Sequence, residues 1–133
     1  MHGPLMGGLA PAEWSILAAV LLAYGVLGVA KRQKGFDNAN PRDPAFYKSG
    51  LPARAQGAHI NSLEGLPFFI GAIILAEMHG ASAPYITLLA WGYIAARIAY
   101  IWAYLGNRPG LRSAVWGMGL LFNIGIFCLP LFV

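Results

Sequence analysis

The stretch WSILAAVLLAYGVLGVA, residues 14–30, runs for seventeen residues without a charge, with Glu13 before it and Lys31, Arg32 and Lys34 after it. An α-helix needs about 20 apolar residues to cross the hydrocarbon core of a bilayer. Three more runs follow. The second begins after Pro52 and continues to Met78; its later part, Gly65–Ala76, is wholly apolar, and its earlier part carries Arg54, His59, Asn61 and Glu64. The third, Pro84–Leu105, is interrupted by one charge, Arg97, and the fourth, Ser113–Val133, by none. Spans are therefore expected at 13–30, 53–78, 84–105 and 113–132. Period-two alternation is absent, which argues against a β-barrel. The expected fold is an all-α membrane protein, an antiparallel four-helix transmembrane bundle with short connections, forming one domain over 1–133.

Composition leads to the same place. Of 133 residues, 58% are hydrophobic and 11% charged, with mean hydropathy +0.59. A soluble domain is about 25% charged. A globule this short exposes much of its surface, and here that surface must meet lipid. Disorder, a coiled coil and a water-solvated enzyme are excluded. The net charge of +4 does not indicate nucleic-acid binding, because seven of the nine Lys and Arg cluster between the apolar runs. Loops Lys31–Leu51 and Gly106–Arg112 hold nearly all of that charge, while His79–Ala83 has none. The positive-inside rule puts the first and third loops in the cytoplasm and both termini outside it. A multi-pass protein of the bacterial inner membrane is expected. A secretory signal carries its positive charge before the apolar core; residues 14–30 carry it after, so the run reads as a retained span, with cleavage before Lys31 the minor alternative. The single cysteine, Cys128, permits no intrachain disulfide and no Cys-rich metal site, and no metal is expected.

Polar residues inside these spans need a reason. Asn61 and Glu64 lie one turn apart and share a face, which Arg54 and Gly57 extend. Arg97, Tyr100 and Tyr104 fall at i, i+3 and i+7, again one face. At 1.5 Å per residue, Asn61 lies roughly 13 Å and Glu64 roughly 18 Å beyond Pro52, and Arg97 lies roughly 12 Å inside Leu105. The inferred topology measures both from the cytoplasmic side, where Arg112 opens the fourth span. Arg54, Asn61, Glu64, Arg97, Tyr100, Tyr104 and Arg112 thus share one leaflet. Two readings stay open. Glu64 and Arg97 form a structural ion pair with the tyrosines as an interfacial belt, or the group lines a functional polar pocket. The surplus of Arg, Tyr and Asn over one carboxylate suits a ligand with several carboxylates. Pro67 takes away the bond to the Leu63 carbonyl, a kink that serves packing or shapes the pocket. His59, off the Asn61 face, reads as a packing residue and Cys128 as a small core residue. Glu77 and His79 reach the outer interface, and the four tryptophans read as lipid-facing or interfacial.

Two segments resemble the MAPEG family, the membrane-associated proteins of eicosanoid and glutathione metabolism. RAQGAHINSLEGLPFF, Arg54–Phe69, is similar to the family's second-helix motif through Ala58, His59, Asn61, Glu64, Pro67 and Phe68. RIAYIWAYLGNRPGLRS, Arg97–Ser113, is similar to the third helix and loop of the microsomal prostaglandin E synthase and microsomal glutathione transferase branch. FDNANP, Phe36–Pro41, resembles that branch's first loop. The resemblance implies a bacterial-type member, a homotrimer of four-helix subunits, with glutathione as co-substrate bound between subunits in the cytoplasmic half of the membrane. By position it implies that Asn61 and Glu64 hold the γ-glutamyl end, with Arg54, Arg97, Tyr100 and Tyr104 in the same site. Arg112 matches the arginine that stabilises the thiolate and Ser113 the serine that assists it. Three positions depart from the pattern, since Gly57, Ile60 and Ala30 stand where the branch carries basic side chains.

The residues suit that chemistry on their own terms. Glutathione offers two carboxylates, an ammonium and a thiol. Arginine forks match carboxylates, Glu64 matches the ammonium, and a cation such as Arg112 lowers the pKa of a thiol, ordinarily near 8.5. The function expected is a glutathione-dependent transferase or peroxidase acting on hydrophobic electrophiles dissolved in lipid. The alternatives are a non-catalytic membrane protein binding a lipid or an anionic metabolite, and a small four-span transporter. The transporter reading is the weaker, because compact proton-coupled exporters place a carboxylate in the first span and residues 14–30 have none.

Overall fold

The computed structural model describes residues 8–133, so the start of the expected domain, residues 1–7, lies outside the described residues. Four long helices account for nearly all of the described chain: α1 (Pro11–Lys31), α2 (Gly50–Met78), α3 (Ala83–Leu105) and α4 (Pro109–Cys128), closed by a short 3-10 turn at Leu129–Leu131. All four are long and apolar enough to cross a membrane, and no strand occurs among the described residues. At 29 residues α2 is the longest, about 44 Å by helical rise. That exceeds a hydrocarbon core of about 30 Å, so the helix is longer than a single crossing requires.

The helix starts follow from local chemistry. Pro11, Pro84 and Pro109 stand at the first or second helical position, where the missing N–H is an orphan anyway. This explains the one boundary that moved most. The expected fourth span began at 113, but the helix begins at Pro109, so Arg112 and Ser113 lie inside its first turns rather than at its threshold. The turn from α3 to α4 uses Asn107 at φ 56°, a left-handed conformation that asparagine tolerates better than most side chains. The helix of α2 continues through Pro67.

Small residues set the helix spacing. The buried face of α1 is Ala12, Ser15, Ala19, Ala23, Val26 and Ala30, and α2 answers with Ala55, Ala58, Ser62, Ala72 and Ala76. Such faces let helix backbones approach closely where lipid supplies no hydrophobic drive. Ser15 donates to the Ala12 carbonyl. His59 donates from Nδ1 to the Ala23 carbonyl at 2.6 Å and tilts against Tyr24, which makes it a packing residue joining α1 to α2. Tie points between distant segments fix the antiparallel order. Arg54 reaches the Leu105 carbonyl at 3.1 Å, Trp91 the Pro11 carbonyl at 3.1 Å, and the Ser82 N–H the Val133 carbonyl at 2.9 Å.

The core divides in two. One cluster holds Phe69, Ile73, Ile86, Ile94 and Ile126; the other, nearer the basic loops, holds Val26, Ala30, Ala55, Ala58, Tyr100 and Ile101. The first loop folds onto the second cluster through buried Tyr47, whose hydroxyl donates to the Pro41 carbonyl at 3.0 Å, with Phe36 and Phe46 stacked edge to face beside it. Leu21, Leu88, Trp102 and Leu121 remain exposed on the outside of the bundle, where lipid meets them.

Candidate functional site

Tyr93, Arg97 and Tyr100 of α3 are buried, not lipid-facing. Arg97 is 5% exposed and donates from one terminal nitrogen to the Ser62 hydroxyl at 2.9 Å. Its guanidinium carbon lies 4.1 Å from the centroid of the Tyr100 ring. Tyr100 meets Tyr104 edge to face, centroids 5.7 Å apart. The Tyr104 ring in turn carries the Arg112 guanidinium at 4.7 Å. Helical spacing puts Arg97, Tyr100 and Tyr104 on one face of α3, and α4 folds back to add Arg112. The result is a ladder of two edge-to-face tyrosines with a guanidinium at each end, each cation–ring contact contributing roughly 0.5–2 kcal/mol.

Beside this ladder opens a cleft of about 230 Å³ between α2, α3 and α4. Asn61 and Glu64 line it from α2 and Arg97 from α3. The cleft therefore brings Asn61 and Glu64 of the α2 stripe together with Arg97 of the α3 stripe, whereas Tyr100, Tyr104 and Arg112 do not line it. The direct partners of Arg97 are neutral, the Ser62 hydroxyl and the Tyr100 ring. Glu64 is exposed along the open side of the cleft. A carboxylate and a guanidinium thus share one cleft with no ion pair between them among the described residues. The Asn61 Oδ1 is buried without a hydrogen-bond partner, and such an oxygen costs about 1–3 kcal/mol until a donor arrives. Phe68, Trp116 and Leu120 supply an apolar wall. An orphaned acceptor, a carboxylate, a cation and an apolar wall are the makings of a site for a zwitterion next to a lipophile.

Other predicted residues lie elsewhere. Arg54 turns away to the Leu105 carbonyl, an orphan at the C-terminus of α3 where a cation is favoured. Ser113 is exposed beside Arg112 and is not part of the cleft wall. The positions that depart from the family pattern have structural correlates. Gly57 is covered by the Tyr104 phenol, which a Cβ at 57 would strike. Ala30 is fully buried in the second core cluster, and Ile60 is exposed. One consequence is testable. Gly57→Ala should push Tyr104 off its contacts with Tyr100 and Arg112 and lower stability by about 1–3 kcal/mol, read as a drop in thermal unfolding temperature in detergent. An unchanged melt would mean that the ladder contributes nothing.

Three lining or supporting residues escaped sequence reasoning: Ser62, Tyr93 and Asn123. Ser62 was masked because serine is ordinary in membrane helices. Tyr93 stands four residues before Arg97, so extending the stripe backwards finds it. Asn123 is the one amide in α4 and the one polar side chain in its otherwise apolar stretch after Ser113, a signal as strong as Asn61 but with no charge nearby to draw attention to it.

The model of the MAPEG family matches residues 9–132. No curated protein and no solved structure gives a significant match.

Proposed function

The chain belongs to the MAPEG family, whose members include glutathione transferases and synthases, and from that premise we propose that it is a glutathione-dependent transferase or peroxidase for hydrophobic electrophiles. The observation that carries this reading is the cleft in which Glu64 and Arg97 stay unpaired with each other. Both charges remain available to a ligand that bears both signs. Asn61 and Glu64 take the ammonium, and Arg97 takes a carboxylate. Arg112, braced on the Tyr104 ring, stands over the thiol and holds it as thiolate, with Ser113 one residue on to donate a hydrogen bond. Electrophiles enter from the bilayer along Phe68, Trp116 and Leu120. The sulfur attacks the electrophilic carbon or peroxide oxygen, and the leaving group departs with the bonding electron pair.

The assembly we propose is a homotrimer with the site between subunits. A single cleft of about 230 Å³ falls below the roughly 300–1,000 Å³ of ligand pockets. Glu64 is exposed on its open side, and a carboxylate at that depth does not face lipid cheaply. A neighbouring subunit would cover it and enlarge the pocket. In this reading the protein sits in a bacterial inner membrane with both termini outside the cytoplasm and the site in the cytoplasmic leaflet.

Gly57, Ala30 and Ile60 favour one other reading, a scaffold that binds a lipid or an anionic metabolite without catalysis. One experiment separates the two. Glutathione added to the purified protein should raise thiolate absorbance near the ultraviolet edge, and an aryl halide should then be conjugated with loss of halide. Absence of both signals would leave only the non-catalytic scaffold.

A further inference from the structure

A second recess, of about 550 Å³, opens between α1, α2 and the first loop. It shares no residue with the cleft and lies on the side of α2 away from Asn61. Its volume is within the roughly 300–1,000 Å³ of ligand pockets. Its two ends differ in chemistry. At one end stand Lys31, the last residue of α1, Arg42 of the loop and Gln56 of α2. From there the recess follows both helices, to Tyr24 on α1 and Leu63 on α2. Each is seven residues on, about 10 Å by helical rise. Leu27, Ile60 and Leu63 make that stretch largely apolar.

The cationic end is held in place and not neutralised from within. Among the described residues no carboxylate lines the recess. The two aspartates of the loop turn to its own backbone, Asp37 accepting from the Ala39 N–H at 2.9 Å and Asp43 from the Ala45 N–H at 3.0 Å. Tyr47, another wall residue, is buried and ties the loop through its bond to the Pro41 carbonyl. His59 is fixed by Nδ1 on the Ala23 carbonyl, which leaves Nε2 for a ligand.

We infer that this recess is a site for an anionic glycerophospholipid of the phosphatidylglycerol class. Its phosphate lies between Lys31 and Arg42, its glycerol headgroup at Gln56, and one acyl chain along Leu27, Ile60 and Leu63. Charge selects the headgroup, because a choline lipid would bring a third cation to two that are already unneutralised. The apolar stretch selects a lipid over a soluble phosphate, which would leave that half of the recess unfilled. The cations stand where α1 gives way to the loop, the level of the headgroups, and basic pockets between transmembrane helices bind such groups. So bound, the lipid clamps the first loop onto α1 and α2.

Native mass spectrometry of the full chain, released from a neutral detergent, reads the retained lipid directly. The wild type should retain phosphatidylglycerol and not phosphatidylcholine of the same chains. Lys31→Gln with Arg42→Gln removes two exposed charges without touching the core and should weaken retention about 30-fold. Lys34→Gln with Lys48→Gln removes two exposed charges from the same loop outside the recess and should leave retention unchanged. Neither glycerol phosphate, the headgroup without its chains, nor glutathione should displace the lipid. Equal weakening by the two pairs would mean diffuse attraction to a basic loop. Displacement by glycerol phosphate would mean a soluble-anion site, and displacement by glutathione a part of the glutathione site. Each of these, or equal retention of phosphatidylcholine, overturns the inference and leaves the reading of the cleft standing.

Discussion

Arg112→Ala should abolish the thiolate signal and leave glutathione bound. The thiol of glutathione is ordinarily protonated at neutral pH, and a cation within about 4–6 Å favours its ionised form by roughly one to three pKa units. Without Arg112 the thiolate fraction falls by about tenfold or more, and turnover falls with it. Binding should persist, because the proposed site holds the ammonium and a carboxylate through Asn61, Glu64 and Arg97 rather than through Arg112. Arg112 sits in the first turn of α4, so the positive end of that helix remains after the substitution and sets the residual ionisation. Arg112→Lys sharpens the argument. It keeps the charge but gives up the planar contact with the Tyr104 ring, so it should restore part of the thiolate signal and not all of it. Parallel loss of binding and ionisation in Arg112→Ala would show that the residue grips the ligand rather than its sulfur.

How far the sequence carries such reasoning depends on which physical quantity each residue obeys. Hydropathy and length found every helix, because a lipid-facing helix obeys them along its whole length. The boundaries were less secure. Pro109 reads as a loop residue until its place at a helix start is considered, and that hid four residues of α4. Helical spacing put Asn61 with Glu64 and Arg97 with Tyr100 and Tyr104, and the rise per residue brought the two groups to one depth. Spacing gives a face but not a reach. Arg54 shares the Asn61 stripe, yet its long side chain goes to the Leu105 carbonyl. Tyr104 and Gly57 meet across two helices, and nothing in either helix alone foretells it. The first loop looked merely polar, whereas Tyr47 anchors it to the core. Such contacts depend on the mutual rotation of helices, which periodicity leaves free.

Arg97 decides between the two readings of the cleft that the sequence left open. A guanidinium at 5% exposure whose direct partners are a hydroxyl and an aromatic ring is poorly compensated for leaving water. Replacing buried charged groups by apolar side chains of similar volume is often neutral or stabilising by about 1–4 kcal/mol. Arg97→Met should therefore raise the bundle's stability by about 1–3 kcal/mol, with the freed Ser62 hydroxyl turning back to a carbonyl of its own helix. The same change should weaken glutathione by about 30-fold or more, the equivalent of roughly 2 kcal/mol or more for a charge-assisted contact. Arg97→Ala separates charge from volume, because the cavity it leaves costs about 2–5 kcal/mol and should reverse the sign of the stability change. Thermal unfolding and glutathione titration on the same preparations read both quantities. A residue that weakens the fold and tightens the ligand is there for binding. If Arg97→Met instead destabilised the protein by several kcal/mol, Arg97 would be a structural post paired to Glu64 in the assembled protein, and the charges of the cleft would not be free for a substrate.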